Sequence, residues 1–400
     1  MKSMLLTTGL LSFIYMKNVY GACKNYGDGK SNCPKDSPCC FEGYCNSNAG
    51  FCILGNCEPA NSYSPNSCWA KPHCKDMSGY NFPSSSDLVE LSKFNDPNKQ
   101  VWYSTGDASH ASITGNNLVM QLKPGSSLTG PGEGSTVYFT RWVDHGTFTA
   151  RIKSGSAAPG VVTSMILRNE FGDEIDFEWV GKTKNTVQTN YYYDDELDFT
   201  KMVESKPVSD TSSNYHDYTI QWNLDSIQWL LDGSLIRTVN RADTWDASAK
   251  MFKFPDREAR FSFSIWDGGN TGQEGTANWA GSPTPYTSST VYSMYVSSVT
   301  VKCLYGGNDT YSIPGSSASS TKSTSSSSSK STQSTKSSSS TSASSSSSRS
   351  GSNSASGSDD GSDSDSESDD TSSPSSASFA SALNSKVLMG ACVFLLSLFA

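Results

Sequence analysis

The sequence predicts an all-β fold for the central part of the chain, an antiparallel β-sandwich of the jelly-roll type. Short stretches of alternating apolar and polar residues recur there, and Gly, Asn and Asp separate them. The strongest local signal is residues 226–239 (SIQWLLDGSLIRTV), which predict a hairpin around the turn Asp232-Gly233. No helical periodicity persists long enough to compete. We therefore assign residues 63–305 to one large β domain.

Other stretches supply further strands of the same sandwich. Residues 147–153, 215–222 and 291–301 are rich in strand-forming residues, and the first of them alternates strictly. Residues 260–266 carry more information, because successive side chains of a strand point to opposite faces. One face is bulky and apolar, and the other is small and polar with a terminal tryptophan: Phe261, Phe263 and Ile265 against Ser262, Ser264 and Trp266. We expect the second face to form a shallow floor that ends in an aromatic wall.

One predicted strand, residues 172–180 (GDEIDFEWV), concentrates the reactive side chains. Glu174, Asp176 and Glu178 alternate with apolar residues and therefore share one face. Three neighbouring carboxylates repel one another, and such an arrangement is retained mainly where function requires it. A solvated acidic face would be expected to have Lys or Arg neighbours across the sheet. A calcium site would be expected to have more ligands and an Asp-rich loop. We therefore interpret this strand as catalytic.

Two carboxyl groups on one face suit the cleavage of glycosidic bonds. Cleavage with retention uses a nucleophile and an acid/base whose carboxyl groups lie about 5–5.5 Å apart. Cα atoms four positions apart on a flat strand are about 13 Å apart, so Glu174 and Glu178 must lean together over a concave surface. Asp176, between them, can hydrogen-bond to one of them and keep their two pKa values apart.

The cysteines indicate a secreted protein. Of the eleven, Cys392 lies in the apolar C-terminal stretch, and the remaining ten are an even number, which predicts five disulfides. Metal binding is the competing interpretation of clustered cysteines. We reject it because the four histidines are scattered and no Cys-x-x-Cys pair occurs. We expect neither a metal ion nor a cofactor.

Seven of these cysteines crowd into residues 23–57, a segment with almost no aliphatic residues, so disulfides must stabilise it. The adjacent pair Cys39-Cys40 and the following FEGYC resemble the hevein-type chitin-binding domain, carbohydrate-binding module family 18. We call residues 23–62 the small module. The resemblance implies three disulfides: Cys23–Cys40, Cys33–Cys45 and Cys39–Cys52. The partner of Cys57 stays open among Cys68, Cys74 and Cys303.

Sugar rings present flat C–H faces that pack on aromatic rings. In the small module the candidate platforms for such stacking are Phe41, Tyr44 and Phe51. The alternative is a purely structural knot, in which these aromatic side chains only cover the disulfides.

Both ends of the chain predict export. Residues 1–22 combine Lys2, a short apolar run and small residues, which is typical of a signal peptide. Residues 306–376 are mostly Ser and Thr with an acidic patch, so we expect a disordered, O-glycosylated stalk. A sequon at its start predicts N-glycosylation at Asn308. Residues 377–400 end in an apolar run shorter than the about 20 residues of a membrane helix. They predict GPI attachment at Ser376.

The motif EIDFE of residues 174–178 matches the E-x-D-x-E signature of family 16 glycoside hydrolases, which are retaining jelly-roll enzymes. The resemblance implies that Glu174 is the nucleophile, Asp176 a helper and Glu178 the acid/base. Three further stretches fit the family: residues 188–191 (QTNY), 264–267 (SIWD) and 275–281 (GTANWAG). With the small module, the stalk and the GPI signal, the chain resembles the fungal Crh-type (congo red hypersensitive) transglycosylases.

That resemblance implies a monomeric, GPI-anchored enzyme at the outer face of the plasma membrane and in the cell wall, with chitin and β-glucan as partners. The net charge of −9, much of it from the stalk, argues against nucleic acid. Expected substrate contacts are Glu178, Ser262, Trp266 and Thr276, with Asn190 and Tyr191 as weaker candidates. The rival hypotheses are an endo-β-1,3-glucanase of the same fold and a non-catalytic chitin-binding wall protein.

Overall fold

The structure is a computed structural model that describes residues 20–23, 33–206, 208–308 and 310–314. The predicted signal peptide up to residue 19, most of the predicted stalk and the predicted anchor residue Ser376 lie outside these ranges. Asn308, the predicted glycosylation site, lies inside them and is exposed, as a glycosylated asparagine must be.

Strands make up most of the described structure. In chain order they are β1 (Tyr20–Ala22), β2 (Cys39–Phe41), β3 (Tyr44–Asn46), β4 (Met77–Tyr80), β5 (Leu88–Glu90), β6 (Trp102–Gly106), β7 (Ala111–Thr114), β8 (Asn117–Leu122), β9 (Ser135–Val143), β10 (Gly146–Lys153), β11 (Val161–Arg168), β12 (Glu174–Val180), β13 (Gln188–Tyr192), β14 (Val203–Glu204), β15 (His216–Trp222), β16 (Ser226–Leu231), β17 (Ser234–Asn240), β18 (Trp245–Asp246), β19 (Met251–Phe252), β20 (Ala259–Asp267) and β21 (Tyr292–Cys303).

Two short α-helices accompany them, α1 (Ala49–Cys52) in the small module and α2 (Glu274–Ala280) after β20. Asn48 caps α1, since its side-chain oxygen accepts a hydrogen bond from the Phe51 N–H. Neither helix in the described part of the chain has the length and apolar character needed to cross a membrane.

Two eight-stranded sheets form the sandwich. The rear sheet has the order β17-β16-β15-β10-β21-β8-β7, with β4 also paired to β21. The front sheet has the order β14-β13-β12-β11-β20-β9-β6-β5 and is antiparallel except for the parallel pair β5–β6. Its central strands are β12, β11 and β20. The predicted all-β jelly-roll class is confirmed.

The core lies between the two sheets. It is filled by large aromatic side chains that are at most 1% exposed, among them Trp102, Trp179, Trp222 and Trp229. The predicted hairpin is present as β16 and β17, and the residues of its turn have positive φ, 50° at Asp232 and 78° at Gly233. That backbone conformation explains the Asp-Gly pair, because a two-residue hairpin of this kind needs left-handed residues.

The small module contributes β2, β3 and α1, and β1, just before it in the chain, pairs with β3 to complete a three-stranded sheet in the order β1-β3-β2. The structure contains the three disulfides that the resemblance implies, Cys23–Cys40, Cys33–Cys45 and Cys39–Cys52. The open question about Cys57 has an answer, because Cys57 pairs with Cys68. Cys74 pairs with Cys303 over a sequence separation of 229 residues and so joins the two ends of the sandwich.

Candidate active site

The acidic strand is β12, and it alternates as the sequence predicts. Ile175, Phe177 and Trp179 are buried in the core between the sheets. The other face of β12 carries Glu174, Asp176 and Glu178, and that face points away from the core. Beneath them, the Trp229 indole N–H donates a 2.8 Å hydrogen bond to the Asp176 carbonyl oxygen. This bond ties the middle of the acidic strand to β16 of the rear sheet.

The register of the front sheet arranges its outer face in rows. Directly opposed residues of an antiparallel pair point to the same face, so each carboxylate has neighbours across the strands. The Glu174 row runs Tyr192, Glu174, Arg168, Arg260 and Trp142. The Asp176 row runs Asn190, Asp176, Ile166, Ser262, Tyr138 and Tyr103. The Glu178 row runs Gln188, Glu178, Ser164, Ser264 and Thr136.

Glu174 is ion-paired with the residue directly opposite it. The Arg168 guanidinium donates a hydrogen bond to Glu174 Oε2 and a second one, 2.7 Å long, to Asp195 Oδ1. The Glu174 side chain is 12% exposed and that of Arg168 is 19% exposed, so water screens this pair poorly. The charge-assisted hydrogen bond from Arg168 orients the Glu174 carboxylate on the outer face.

Asp176 has a different environment. It is 1% exposed, and neither of its carboxyl oxygens has a hydrogen-bond partner among the described residues. Burial first, and then the charges of Glu178 and Glu174, hold its pKa well above the usual range. Both causes favour the neutral form of the carboxyl group. The hydrogen bond to a neighbouring glutamate that the sequence suggested is absent from this structure.

The surroundings of Glu178 also favour its protonated form. Burial, and secondarily the negative charge of Glu174, raises the pKa of Glu178 to about 8. At neutral pH it holds a proton that it can donate, while Glu174 has a cation beside it. The two glutamates are thus differentiated by their surroundings, as an acid and a nucleophile must be.

An aromatic wall stands beside the Glu178 row. Trp266 continues the outer face of β20 past Ser264, and its ring stacks on Trp279 of α2 with centroids 6.0 Å apart. The Trp279 indole N–H donates a 2.7 Å hydrogen bond to Gln188 Oε1, and Gln188 lies opposite Glu178. Trp266 is half-buried, so one part of its ring is open to a ligand. Thr276, also on α2, is half-buried as well.

Small polar residues of the outer face form the floor beside the acids. Ser262 is 5% exposed and Asn190 is 3% exposed, and both lie in the Asp176 row. The Asn190 side-chain amide donates a 2.8 Å hydrogen bond to the Tyr192 hydroxyl. Tyr191 was expected to be a weaker substrate contact, and that expectation is wrong. It occupies the alternate position of β13, packs in the core and lies beneath the Lys201 ammonium, 4.8 Å from the ring centre.

The small module does not place all its aromatic side chains at the surface. Phe51 was expected to be a sugar platform, but it is 1% exposed and belongs to a cluster with Tyr103 and Trp142 of the sandwich. Its ring meets Phe41 edge-on, with centroids 5.8 Å apart. Phe41 and Tyr44 are half-buried and pack against the same cluster. The correction has a plain cause, because the module packs against the sandwich and uses Phe51 to do so.

Three residues of the site were missed from the sequence: Arg168, Tyr192 and Trp279. Arg168 had a detectable signal, since it immediately precedes the turn of residues 169–173 that leads into the acidic strand. Asn169 shapes that turn by accepting hydrogen bonds from the backbone N–H groups of Phe171 and Asp173, at 2.9 and 3.0 Å. A tight turn there places Arg168 opposite Glu174.

A possible metal site lies elsewhere. Outside the disulfides, one group in the described part of the chain, Asp107, His110 and Glu133, brings potential ligand atoms within 4.8 Å of one another. It shares no residue with the acidic strand. The chemistry that the outer face of the front sheet supports is therefore acid/base and nucleophilic catalysis by carboxyl groups beside a stacking wall, which suits a glycosidic bond.

Comparison with known proteins gives a consistent result. Residues 98–281 match the family model described as glycosyl hydrolases family 16. Crh-like protein 3 of Botryotinia fuckeliana (strain B05.10) is 37% identical over 260 residues, 63% of this chain and 54% of that protein. Congo red hypersensitive protein 2 of Saccharomyces cerevisiae (strain ATCC 204508 / S288c) is 33% identical over 285 residues, 70% of this chain and 59% of that protein.

Among solved structures, that of Crh5 transglycosylase in complex with NAG aligns with a TM-score of 0.42 and 24% identity, over 58% of this chain and 88% of that chain. The chain spans between half and two-thirds of the length of the two curated relatives, 54% and 59%.

Proposed function

We propose, from the match of residues 98–281 to the family model described as glycosyl hydrolases family 16, that the protein is a retaining glycosidase and transglycosylase of the fungal cell wall. One observation carries the proposal. On a single open strand face, Glu178 has a pKa raised to about 8, and Glu174 is paired with Arg168. An acid that stays protonated beside an ion-paired carboxylate is the combination that double displacement at a sugar requires.

The reaction proceeds in two steps. Glu174 attacks the anomeric carbon, and the bond to the leaving sugar breaks as Glu178 gives that sugar oxygen its proton. The product of this step is a glycosyl ester on Glu174. Glu178, now ionised, removes a proton from an acceptor hydroxyl, which attacks the ester and frees Glu174. Water as the acceptor gives hydrolysis, and a sugar hydroxyl gives transfer.

Chitin is our proposed donor and β-glucan our proposed acceptor. Support for a chitin donor comes from the small module, with its hevein-like disulfides and its half-buried Phe41 and Tyr44. Support for transfer comes from the relatives, two of which are Crh-type proteins by name. The substrate contacts are Glu178, Ser262, Trp266, Thr276 and Asn190. A secreted, GPI-anchored location at the cell wall completes the proposal and fits the five disulfides.

The test is to incubate the purified protein with chitin oligomers and fluorescently labelled laminarin oligomers, and to separate the products by mass. A labelled hybrid is the expected product. Cleavage of laminarin without any hybrid would favour the endo-β-1,3-glucanase hypothesis. Retention on chitin without any cleavage would favour a wall protein that only binds. Glu174→Gln and Glu178→Gln are each expected to lower kcat at least about 100-fold while the fold survives.

A further inference from the structure

The small module and the outer face of the front sheet share one hydrophobic cluster. The module contributes Cys39, Ala49, Phe51, Cys52 and Ile53, and the sandwich contributes Leu91, Phe94, Tyr103 and Trp142. Tyr138 and Val89 pack against the same cluster. Tyr103, Tyr138 and Trp142 belong to the rows that contain the acids. The module therefore lies on the open face of the sheet, over β9 and β6.

Direct bonds hold it there. The Gly50 N–H donates to the Phe94 carbonyl at 3.2 Å, and the Asn48 side-chain amide donates to the Ser92 carbonyl at 2.6 Å. Gly55 lies so close to the Trp142 ring that a methyl group in place of its hydrogen would be 2.7 Å from Cζ2. A module tethered only to search for distant polymer would not need contacts this close, because they fix its position relative to the acids.

The module covers one end of the outer face of the front sheet. Across the front sheet, the rows pass from β13 through β12, β11 and β20 to β9. On β12 and β20 the outer face is open enough to leave Glu174, Glu178 and Trp266 partly exposed. At β9 and β6 the same face is covered, and Trp142 and Tyr103 are each 1% exposed. A polymer lying along the rows therefore meets the module after crossing β20.

Arg260 stands at that boundary. It is 6% exposed, its guanidinium lies over the rings of Tyr138 and Trp142 at 5.0 and 5.1 Å, and it donates a hydrogen bond to the Tyr103 hydroxyl. It also donates to the Gly55 carbonyl of the module at 3.4 Å. No carboxylate in the described part of the chain forms an ion pair with it. A guanidinium has five N–H donors, so Arg260 keeps donors for a ligand.

The module has an acidic side chain, Glu42, at the tip of the hairpin between β2 and β3. Its φ of 50° and that of 83° at Gly43 give a tight turn that projects the glutamate. Glu42 as a whole residue is exposed, yet burial of its carboxyl group raises its pKa to about 7, with Arg260 acting against that shift and Glu58 adding to it. Phe41 and Tyr44, on either side of this turn, pack against the same cluster as Tyr138, so the turn lies beside this part of the front sheet.

We propose that the small module is the end wall of the catalytic groove, and that Glu42, with Arg260 and Tyr138, contacts the sugar unit that abuts it. The inference rests on the proposed function and adds a limit on the number of sugar units that bind between the module and the acids. A groove closed at one end holds a fixed number of sugar units between the wall and the acids. Cleavage is then counted from one end of the substrate, and one of the two products has a uniform length.

The experiment uses the full chain and chitin oligomers of increasing length, labelled at one end. The wild type is expected to give a single length for the fragment that lies between the wall and the acids. Its rate should rise with oligomer length only until the sugar sites between the wall and the acids are filled. Tyr44→Ala removes a large side chain from the end wall. It is expected to give longer fragments in addition to the wild-type fragment. Glu42→Gln, measured at pH 8 where the wild-type side chain is mostly ionised, is expected to weaken oligomer binding about tenfold, the effect of one charged hydrogen bond.

Asp36→Asn is the matched control, since Asp36 is an exposed acid of the same module outside the hairpin turn, and it should change nothing. Binding is measured in the Glu178→Gln background so that the ligand stays intact. If the wild type is active and its fragment lengths and affinities are unchanged in folded Tyr44→Ala and Glu42→Gln, the end wall is refuted and the proposed function survives. If the wild type cleaves no glycan, both are refuted.

Discussion

Arg168 and Glu174 are direct register partners on β11 and β12, and the guanidinium of the first donates a hydrogen bond to the carboxylate of the second. The pair stands at one side of the acidic face, while Glu178 at the other side has no basic residue opposite it in the β11 and β13 register. One arginine therefore distinguishes two glutamates that are otherwise equivalent in the sequence pattern.

Replacing Arg168 tests this role. In Arg168→Gln the ionised form of Glu174 loses its neighbouring cation, so kcat/KM is expected to fall at least about tenfold. The ratio is measured by steady-state kinetics on a chitin oligomer. Arg151→Gln is the control, since its 3.1 Å pair with Asp217 is exposed, and an unchanged kcat/KM in folded Arg168→Gln would contradict the assignment.

The raised pKa of Glu178 predicts how the rate responds to alkali. The acid must be protonated to serve the leaving group, so kcat/KM should decline as pH rises through about 8. A basic limb that lies near pH 5 would mean that Glu178 is ionised in the free enzyme and is not the acid. The profile is measured in buffers of constant ionic strength, because salt screens the interaction with Glu174.

The same shift also predicts a stability effect. A carboxyl whose folded pKa is raised from 4.5 to about 8 favours the fold in its neutral form, and this contribution is lost as pH rises between these two values. Glu178→Gln cannot ionise. Its advantage in unfolding free energy over the wild type should therefore grow from pH 5 to pH 9, by about 1–3 kcal/mol. Denaturant titrations at both pH values measure the difference, and equal advantages at the two would contradict the shift.

The aromatic wall predicts a loss of binding. Trp266→Ala removes the ring that faces the groove and leaves Trp279 without its stacking partner, so KM for a chitin oligomer should rise about tenfold. Trp245→Ala is a matched control, because Trp245 is 50% exposed and lies on β18, outside the two large sheets. Equal effects of the two substitutions would show that Trp266 has no special part in binding.

The close approach of the small module to the sandwich predicts an unusually costly glycine substitution. Gly55→Ala places a methyl group 2.7 Å from the Trp142 ring at a φ of 94°, so unfolding free energy should fall by about 2–4 kcal/mol. Gly79→Ala has a positive φ of 56° but open space around it, and it isolates the backbone contribution, about 1 kcal/mol. Similar losses in both variants would mean that the contact with Trp142 can relax.

The sequence predicts those parts of the site that depend on local alternation. Glu174, Asp176 and Glu178 share a face because the strand period is two, and no distant residue is needed to see it. Tyr191 shows the limit, because its neighbour Asn190 has the opposite orientation and only the register of β13 against β12 decides which of them faces the groove. Phe51 shows a second limit. Its burial depends on Tyr103 and Trp142, which are far along the chain, and on a docking surface that no local pattern encodes.

The hydrogen bond from the Trp229 indole to the Asp176 carbonyl has a consequence for engineering the enzyme. The buried Trp229 side chain reaches from β16 of the rear sheet to the backbone of β12, so the rear sheet supports the acidic strand from behind. Repacking β16, even with side chains of equal volume, should change turnover before it changes melting temperature. A search for faster or slower variants could therefore begin on the side of the protein that never meets the polymer.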